Sequence, residues 1–530
     1  MRGRGGVANR ARAGRHGGRE RRGTAVAVLL AVAAGAVMAG GPVAAASYGA
    51  DRPDGSDRLS GADRLDGVWR SDGYGTVFAL HGGRLQEYLT TTTSCLPGAT
   101  ARRTDGNSSG NGGNTGPGTG GGNSHNTGPG NGNATGPGFG PGPGPSSAIY
   151  TGDDTTIYRF RSGVGGARAT LHLDGSVGDR RLRRVPALPG RCVRAAPKGA
   201  VATFDVFWQT FRENYPFFAA KRIDWQAVRS RYRPRVHDGM APAELFAVLR
   251  EMVLPLHDAH VSLDAGDAGF FAQSRPGTAI PSPALDQQVR RYVERHDLGG
   301  APLRQFANGR IGYAELPDGT GYLRISGFGG YDEDSPAYAR NSAALDRALT
   351  ETVRPGLRRL VLDLRINGGG SDALALQVAE RLTDRPHLAY IKRARNSPTD
   401  AAHFTRPQRV AVRPAPGRFR FTGPVAVLTG GETYSAGETL TQALMQRPAT
   451  TLRIGRNTQG VFSDVLERAL PNGWSFGLPN EEYRTPSGTT FDGPGIPPDL
   501  RTGAFLREVA AGARDSAFTR ALAALRSRSR

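Results

Sequence analysis

The sequence predicts an α/β protein whose layered core follows a helical stretch and a small β domain. Three observations carry this. From Ile311 onward short apolar runs alternate with amphipathic stretches, the pattern of strands layered against helices. Between Ala200 and Leu263 apolar residues recur at three- and four-residue spacing, the period of a helix with one buried face. Between Leu65 and Val193 short alternating runs are separated by Gly and Asp, which reads as strands and turns.

Composition bounds the function classes. A chain of 530 residues exceeds one ordinary domain. Much of the formal charge of +21 is terminal, on arginines between Arg2 and Arg22 and at Arg526, Arg528 and Arg530. No basic stripe is interleaved with aromatics, so nucleic acid is not an expected partner. Lysine occurs only at Lys198, Lys221 and Lys392, which restricts the candidate bases below. The two cysteines, Cys95 and Cys192, suit a single bridge in an exported chain, two buried free thiols being the alternative.

In chain order, residues 1–46 have the pattern of an export signal: a basic segment, an apolar run from Thr24 to about Met38, and a small-residue cleavage site at Ala44–Ala46. That run is short for a membrane span, and no later stretch is long and apolar enough for one, so an extracytoplasmic chain without a membrane span after cleavage is expected, an uncleaved N-terminal anchor being the alternative. Residues 47–64 read as a linker. The small β domain, residues 65–195, contains runs at Gly67–Trp69, Thr76–Leu80, Leu85–Thr91, Ala148–Phe160 and Ala167–Leu173. A Gly/Asn/Pro-rich tract over 105–147 interrupts it. That tract has nothing to bury and is expected to be a disordered loop.

The helical region, 200–263, carries Phe204, Phe207 and Phe211 on one stretch and Leu245, Val248, Leu249 and Met252 on another. A connector, 264–310, holds one helix at Leu285–His296. The α/β core, 311–502, has strands at Tyr322–Phe328, Leu360–Leu364, Leu388–Arg393 and Val425–Leu428, with helices at Tyr338–Val353, Asp372–Leu382 and Ala436–Gln446. Strands near Ser463–Leu470, Trp474–Leu478 and Glu482–Arg484 complete it. A C-terminal helix and basic tail occupy 503–530.

The chemistry centres on Val425–Leu440, VAVLTGGETYSAGETL. A buried strand, a Gly-Gly turn and a helix starting at Ala436 place Ser435 at a strand-to-helix turn. A nucleophile there is exposed, and helix N–H groups face the oxyanion it would create. Ser435-Ala436-Gly437-Glu438 also reads as a capping box, in which the serine merely caps the helix. A serine nucleophile needs a base, which lies near it in space rather than in sequence. His257 and His260, in Leu256–Leu263, are the histidines with special context. As metal ligands they lack an obvious third partner, and a structural pair is the other alternative. Leu362–Gly370 runs a strand into three glycines, whose N–H groups could form an anion nest or simply make a turn. No Lys-Ser/Thr follows, so it is not a P-loop.

Leu-Arg-x-Asn-x-Gly-Gly at 364–370, Thr-Gly-Gly-x-x-x-Ser-Ala-Gly-Glu at 429–438, Gly-x-x-Thr-x-Gly at 455–460 and Gly-Ile-x-Pro-Asp at 495–499 occur in one order, after Leu-x-Asp-x-His-x-x-Leu at 256–263. Together they resemble the family of C-terminal processing (tail-specific) peptidases and tricorn core proteases, over about Val201 to Leu500. The resemblance implies a ClpP/crotonase-like spiral β/α core and a serine peptidase without metal or organic cofactor. It implies Ser435 as nucleophile, with an oxyanion hole from the N–H of Ala436 and that of Gly369 or Gly370. Where processing peptidases carry their lysine base this sequence has Val461, and no lysine follows Lys392. The base therefore resembles the tricorn type, His260. Asp492, before Gly-Pro-Gly-Ile, stands where the family usually has glutamate and is expected to orient it. The connector is too short for a PDZ-like domain.

The expected activity is that of a secreted or envelope serine peptidase acting on peptides or proteins through a Ser435–His260–Asp492 triad. Oligomeric state is not legible. The alternative is a catalytically idle protein of the same fold that binds peptides or apolar ligands.

Overall fold

Eight antiparallel strands between Gly67 and Val185 close into a barrel. Gly67–Ser71 completes the ring by pairing with Thr76–His81 on one side and Arg180–Val185 on the other. Alternate residues point inward: Trp69, Phe78, Leu85, Tyr150, Phe160, Leu171 and Leu182 fill the interior. The run expected as one strand at Ala148–Phe160 is two, Ser147–Gly152 and Ile157–Ser162, broken at a turn where Thr155 has φ 67°. Two strands escape the sequence pattern. Cys95–Arg103 contains Pro97 and Gly98, and its register slips between Gln86 and Tyr88 of its neighbour. Arg180–Val185 is mostly arginine and buries Leu182 inside the barrel. Cys95 and Cys192 are disulfide-bonded, Cα atoms 5.0 Å apart, as anticipated.

This computed structural model describes residues 65–105 and 147–527. The expected export signal, linker and Gly/Asn/Pro-rich loop, and the last residues of the basic tail, lie outside them. The described residues pack as parts of one compact unit.

The helical region forms Ala200–Asn214, Trp225–Tyr232 and Pro242–Val253. Phe204, Phe207, Phe211, Leu245, Leu249 and Met252 share a core with Phe476 and Leu478. Trp208 and Trp225 each donate the indole N–H to the other's carbonyl at 2.9 Å, which fixes the first two helices against each other.

The central sheet has seven strands, in the order Arg304–Phe306, Ile311–Glu315, Thr320–Ile325, Arg359–Asp363, Val425–Thr429, Thr451–Gly455, Leu500–Arg501. The last five run parallel. Its faces are read off Val425–Thr429, where side chains alternate. Val425 and Val427 join a core with helices Tyr338–Thr352, Asp372–Glu380 and Ala436–Met445. Ala426 and Leu428 join another with Pro283–His296, Phe505–Ala511 and Ser516–Ser527. A parallel sheet covered on both faces reads as a continuous apolar run, as this strand does. The single C-terminal helix expected from 503 is two helices, because Gly512 adopts φ 58° after the first.

Beyond the ends of Arg359–Asp363 and Val425–Thr429, the short strands Ile366–Asn367 and Glu432–Thr433 pair in parallel. That pairing brings the triple glycine and Ser435 together. In a four-stranded antiparallel sheet, Phe270–Ala272, Ser262–Asp264, Ser475–Pro479 and Val465–Ala469, the histidine segment leads into the inner strand Ser262–Asp264.

Candidate active site

Ser435 stands between Glu432–Thr433 and helix Ala436–Met445 with φ 48° and ψ −117°. A non-glycine residue in such a conformation costs about 1–3 kcal/mol and persists only where its surroundings enforce it. Here they do. Tyr434 N–H donates to Asn367 O at 2.9 Å, and Ser435 N–H donates to Val461 O at 3.1 Å. Glu438, fully buried, accepts from Gly460 N–H at 2.7 Å and Val461 N–H at 2.8 Å, and from Ser435 N–H at 3.3 Å. Burial pushes the Glu438 carboxyl up to about 8. Glu438 thus makes its half of the capping box, but the Ser435 hydroxyl makes no cap hydrogen bond. The Ser435 carbonyl takes Glu438 N–H instead, at 2.7 Å.

The glycine loop lies against this serine. A methyl group at Gly369, which has φ 81°, would stand 2.6 Å from Ser435 Cβ and 3.2 Å from Oγ, so only glycine fits. Buried Asn367 shapes the loop: its Nδ2 donates to Ile325 O at 2.9 Å and its Oδ1 accepts Gly369 N–H at 2.9 Å. Of the three expected oxyanion donors, Gly369 N–H is therefore occupied. Gly370 N–H and Ala436 N–H make no hydrogen bond among the described residues. Gly369 N–H is taken up by the Asn367 side chain, whose reach is not legible from spacing alone.

His260 is buried and follows a turn in which His257, exposed, takes φ 45°. Its Nδ1 is buried without a hydrogen-bond partner. Burial lowers the imidazole below its ordinary value, against the opposing pull of Asp258 and then Asp464. The ring is therefore neutral near pH 7, as a general base must be. Asp258 accepts the backbone N–H of His260 at 3.0 Å and the Tyr215 hydroxyl at 2.7 Å. No His260–Ser435 hydrogen bond occurs among the described residues.

Asp492 does not take the orienting place expected of it. Its Oδ1 accepts Phe462 N–H at 3.3 Å and its Oδ2 accepts the Thr490 hydroxyl at 2.6 Å. Burial pushes its carboxyl up to about 8. The acids that act on His260 are Asp258 and Asp464. An aspartate, one methylene shorter than glutamate, is held back by its own loop.

Lys392 is buried between Glu481 at 3.2 Å and Asp464 at 3.4 Å. Burial alone would lower its ammonium, but these carboxylates more than offset that and keep it protonated, unsuited to act as a base. Among the described residues there is no group of three His, Cys, Asp or Glu that could hold a metal, and no helix long and apolar enough to cross a membrane.

Residues 319–502, which carry both the glycine loop and the Ser435 elbow, match peptidase family S41. This stretch, about a third of the chain, is thus similar to that peptidase family. The preceding helices, residues 202–253, match the tricorn protease C1 domain. A curated relative, the chloroplastic C-terminal processing peptidase of Tetradesmus obliquus, is 28% identical over 238 residues, 43% of this chain and 46% of its own length. The chain thus spans about half the length of that relative. Among solved structures, a putative peptidase from Parabacteroides merdae is 24% identical with a TM-score of 0.49, covering 62% of this chain and 97% of that one. The tricorn protease is 13% identical with a TM-score of 0.38, covering 85% of this chain and 45% of that one. The α/β peptidase core expected from the motifs is the one the S41-like stretch supplies, with a β barrel before it.

Three residues around Ser435 and His260 are not singled out by the sequence pattern. Spacing marks Glu438 only as a cap partner, and Asn367 only as part of the glycine motif. Asp258 lies in the histidine segment, where spacing assigns it no role.

Proposed function

We propose that the protein is an extracytoplasmic serine peptidase that cleaves peptide bonds through an acyl-enzyme on Ser435, with His260 as general base. The observation that carries this is the strained Ser435 elbow, its hydroxyl unused as a cap and packed against Gly369. Neutral His260 takes the Ser435 proton as Oγ attacks the scissile carbonyl carbon. The oxyanion rests on Ala436 N–H and Gly370 N–H. His260 then returns the proton to the departing amine, and water hydrolyses the ester by the reverse sequence. Asp258, through its bond to the backbone N–H of His260, holds the turn that carries the base. The Cys95–Cys192 bridge supports an oxidising, extracytoplasmic compartment.

The idle binding protein is the second reading, and the unpartnered His260 Nδ1 favours it. Labelling with a fluorophosphonate probe discriminates. The peptidase reading expects the parent to label and both Ser435→Ala and His260→Ala to lose labelling. A folded parent that does not label overturns it. Labelling that survives His260→Ala moves the base elsewhere.

A further inference from the structure

Two turns of the barrel reach the two halves of the candidate active site. The first carries Tyr74, a non-glycine residue at φ 62°. Tyr74 is buried among residues of the helical region and of the Ser475–Pro479 strand rather than inside its own barrel. The Arg180 guanidinium covers its ring at 4.4 Å, and Arg468 donates to its carbonyl. The Tyr74 hydroxyl donates to Glu481 Oε1 at 2.6 Å, and the same carboxylate accepts Asp464 N–H at 3.3 Å and pairs with Lys392. Glu481 N–H donates in turn to Ser463 Oγ at 3.1 Å. Tyr74 and Glu481 therefore fix residues 463–464. Just before them, Val461 O holds Ser435 N–H and Phe462 N–H holds Asp492.

The second turn joins Arg168–Leu173 to Arg180–Val185. Its Gly175 carbonyl accepts the Ser371 hydroxyl at 2.7 Å and Ala373 N–H at 3.3 Å. Ser371 directly follows the glycine loop, which is also bonded to Phe328 through Gly369 O at 2.7 Å and Ser371 N–H at 2.8 Å. The barrel thus adds its own bonds at Ser371 and Ala373 to those that Phe328 makes with the loop.

We propose that the barrel is a positioning element of the hydrolytic site, holding segment 461–464 through Tyr74 and Glu481 and the glycine loop through Gly175 and Ser371. The inference rests on the peptidase reading above. It excludes a barrel that is only an appended binding module, because such a module would touch the core without bonding to both halves of the site.

The test compares the rate of fluorophosphonate labelling, resolved into probe binding and the covalent step, in four full-length variants. Tyr74→Phe removes only the hydroxyl bonded to Glu481. Ser371→Asp keeps an acceptor for the Leu374 N–H that Ser371 caps, but an ionised carboxylate has no proton to give Gly175. Each is expected to slow the covalent step about tenfold or more with little change in probe binding, as misplacement of reacting groups does. Ser371→Thr, which keeps both roles, is expected to label at the parent rate. Leu85→Ala, inside the barrel and away from both turns, is expected to lower the melting temperature and leave the covalent step unchanged.

Parent-like rates in Tyr74→Phe and Ser371→Asp overturn the proposal, as does a loss in Leu85→Ala equal to theirs. Amide hydrogen exchange provides a readout independent of activity. Faster exchange at 461–464 in Tyr74→Phe and at 369–371 in Ser371→Asp supports the clamp, and unchanged exchange at both overturns it. A parent that fails to label refutes the peptidase reading on its own, and the exchange result still judges the clamp.

Discussion

Replacing Gly369 with alanine tests whether the glycine loop and the serine elbow fit together as the geometry requires. The new Cβ would lie 2.6 Å from Ser435 Cβ, whereas carbon atoms pack at about 3.5–4.0 Å. Relieving the clash takes about 1 Å of movement, from the loop or from the serine. Neither is free to give: Asn367 Oδ1 holds Gly369 N–H, and Val461 and Glu438 hold Ser435 N–H. The left-handed backbone at φ 81° adds about 1–2 kcal/mol for any residue with a Cβ. A displacement of about 1 Å at a reacting centre can cost about 100-fold in rate. Gly369→Ala should therefore label with fluorophosphonate about 100-fold more slowly while losing about 1–2 kcal/mol of stability in a denaturant melt. Gly368→Ala is the internal control. Its Cβ would meet only Pro281 Cβ, at an ordinary 3.6 Å, with no left-handed φ. Parent-like labelling of Gly369→Ala would refute the packing of Ser435 on this loop. An equal loss in Gly368→Ala would show that the loop tolerates no side chain anywhere and that the specific contact explains nothing.

Three further outcomes follow from the same geometry. Burial lowers the His260 imidazole, so the base stays neutral below its ordinary value of about 6.5. The acid limb of kcat/KM should fall only below that pH, and a limb above about 7 would contradict the assignment. Asp492→Asn should keep labelling within a few-fold, because this carboxyl, raised to about 8, bonds to Phe462 N–H and Thr490 rather than to the base. A loss approaching the ~10⁴-fold seen when a true orienting aspartate is amidated would restore it to the triad. Replacing Cys95 and Cys192 with serine opens a loop of 97 residues in sequence separation. The loop-closure estimate is about 4–5 kcal/mol, read as a lower denaturation midpoint, and an unchanged midpoint would mean the bridge contributes nothing to folding stability.

What was legible in the sequence was the part governed by local period. Val425–Thr429 and Arg359–Asp363 announce themselves as buried strands because both faces of the sheet are covered. The helices at Ala200–Asn214 and Pro242–Val253 do so through one apolar face. Ser435 was legible because a strand, two glycines and a helix start define an elbow. The barrel's closure was not. It depends on Arg180–Val185, whose arginines mask a strand that buries Leu182. Nor could spacing foresee that Asn367 would occupy Gly369 N–H, or that Asp492 would turn toward Thr490. Both depend on which of several partners within reach a short polar side chain takes. The Tyr74–Glu481 bond joins residues 407 positions apart, and no local pattern carries information at that range.

The two readings of Ser435-Ala436-Gly437-Glu438 are reconciled by energetics. A serine that capped the helix would sit in the extended region and give its oxygen to an N–H of the first turn. At φ 48° and ψ −117° Ser435 does neither, and forgoes about 1 kcal/mol of capping in addition to about 1–3 kcal/mol of strain. Glu438 supplies the compensation. Its carboxyl, kept largely protonated near neutral pH by burial, gathers the N–H groups of Gly460, Val461 and Ser435, and hydrogen bonds to an uncharged group contribute about 0.5–1.5 kcal/mol each. The three bonds together, at about 1.5–4.5 kcal/mol, are of the size of the elbow's cost. The motif is therefore half a capping box by design: the glutamate ties the helix start to segment 460–461, and the serine, released from capping, presents a free hydroxyl to the glycine loop.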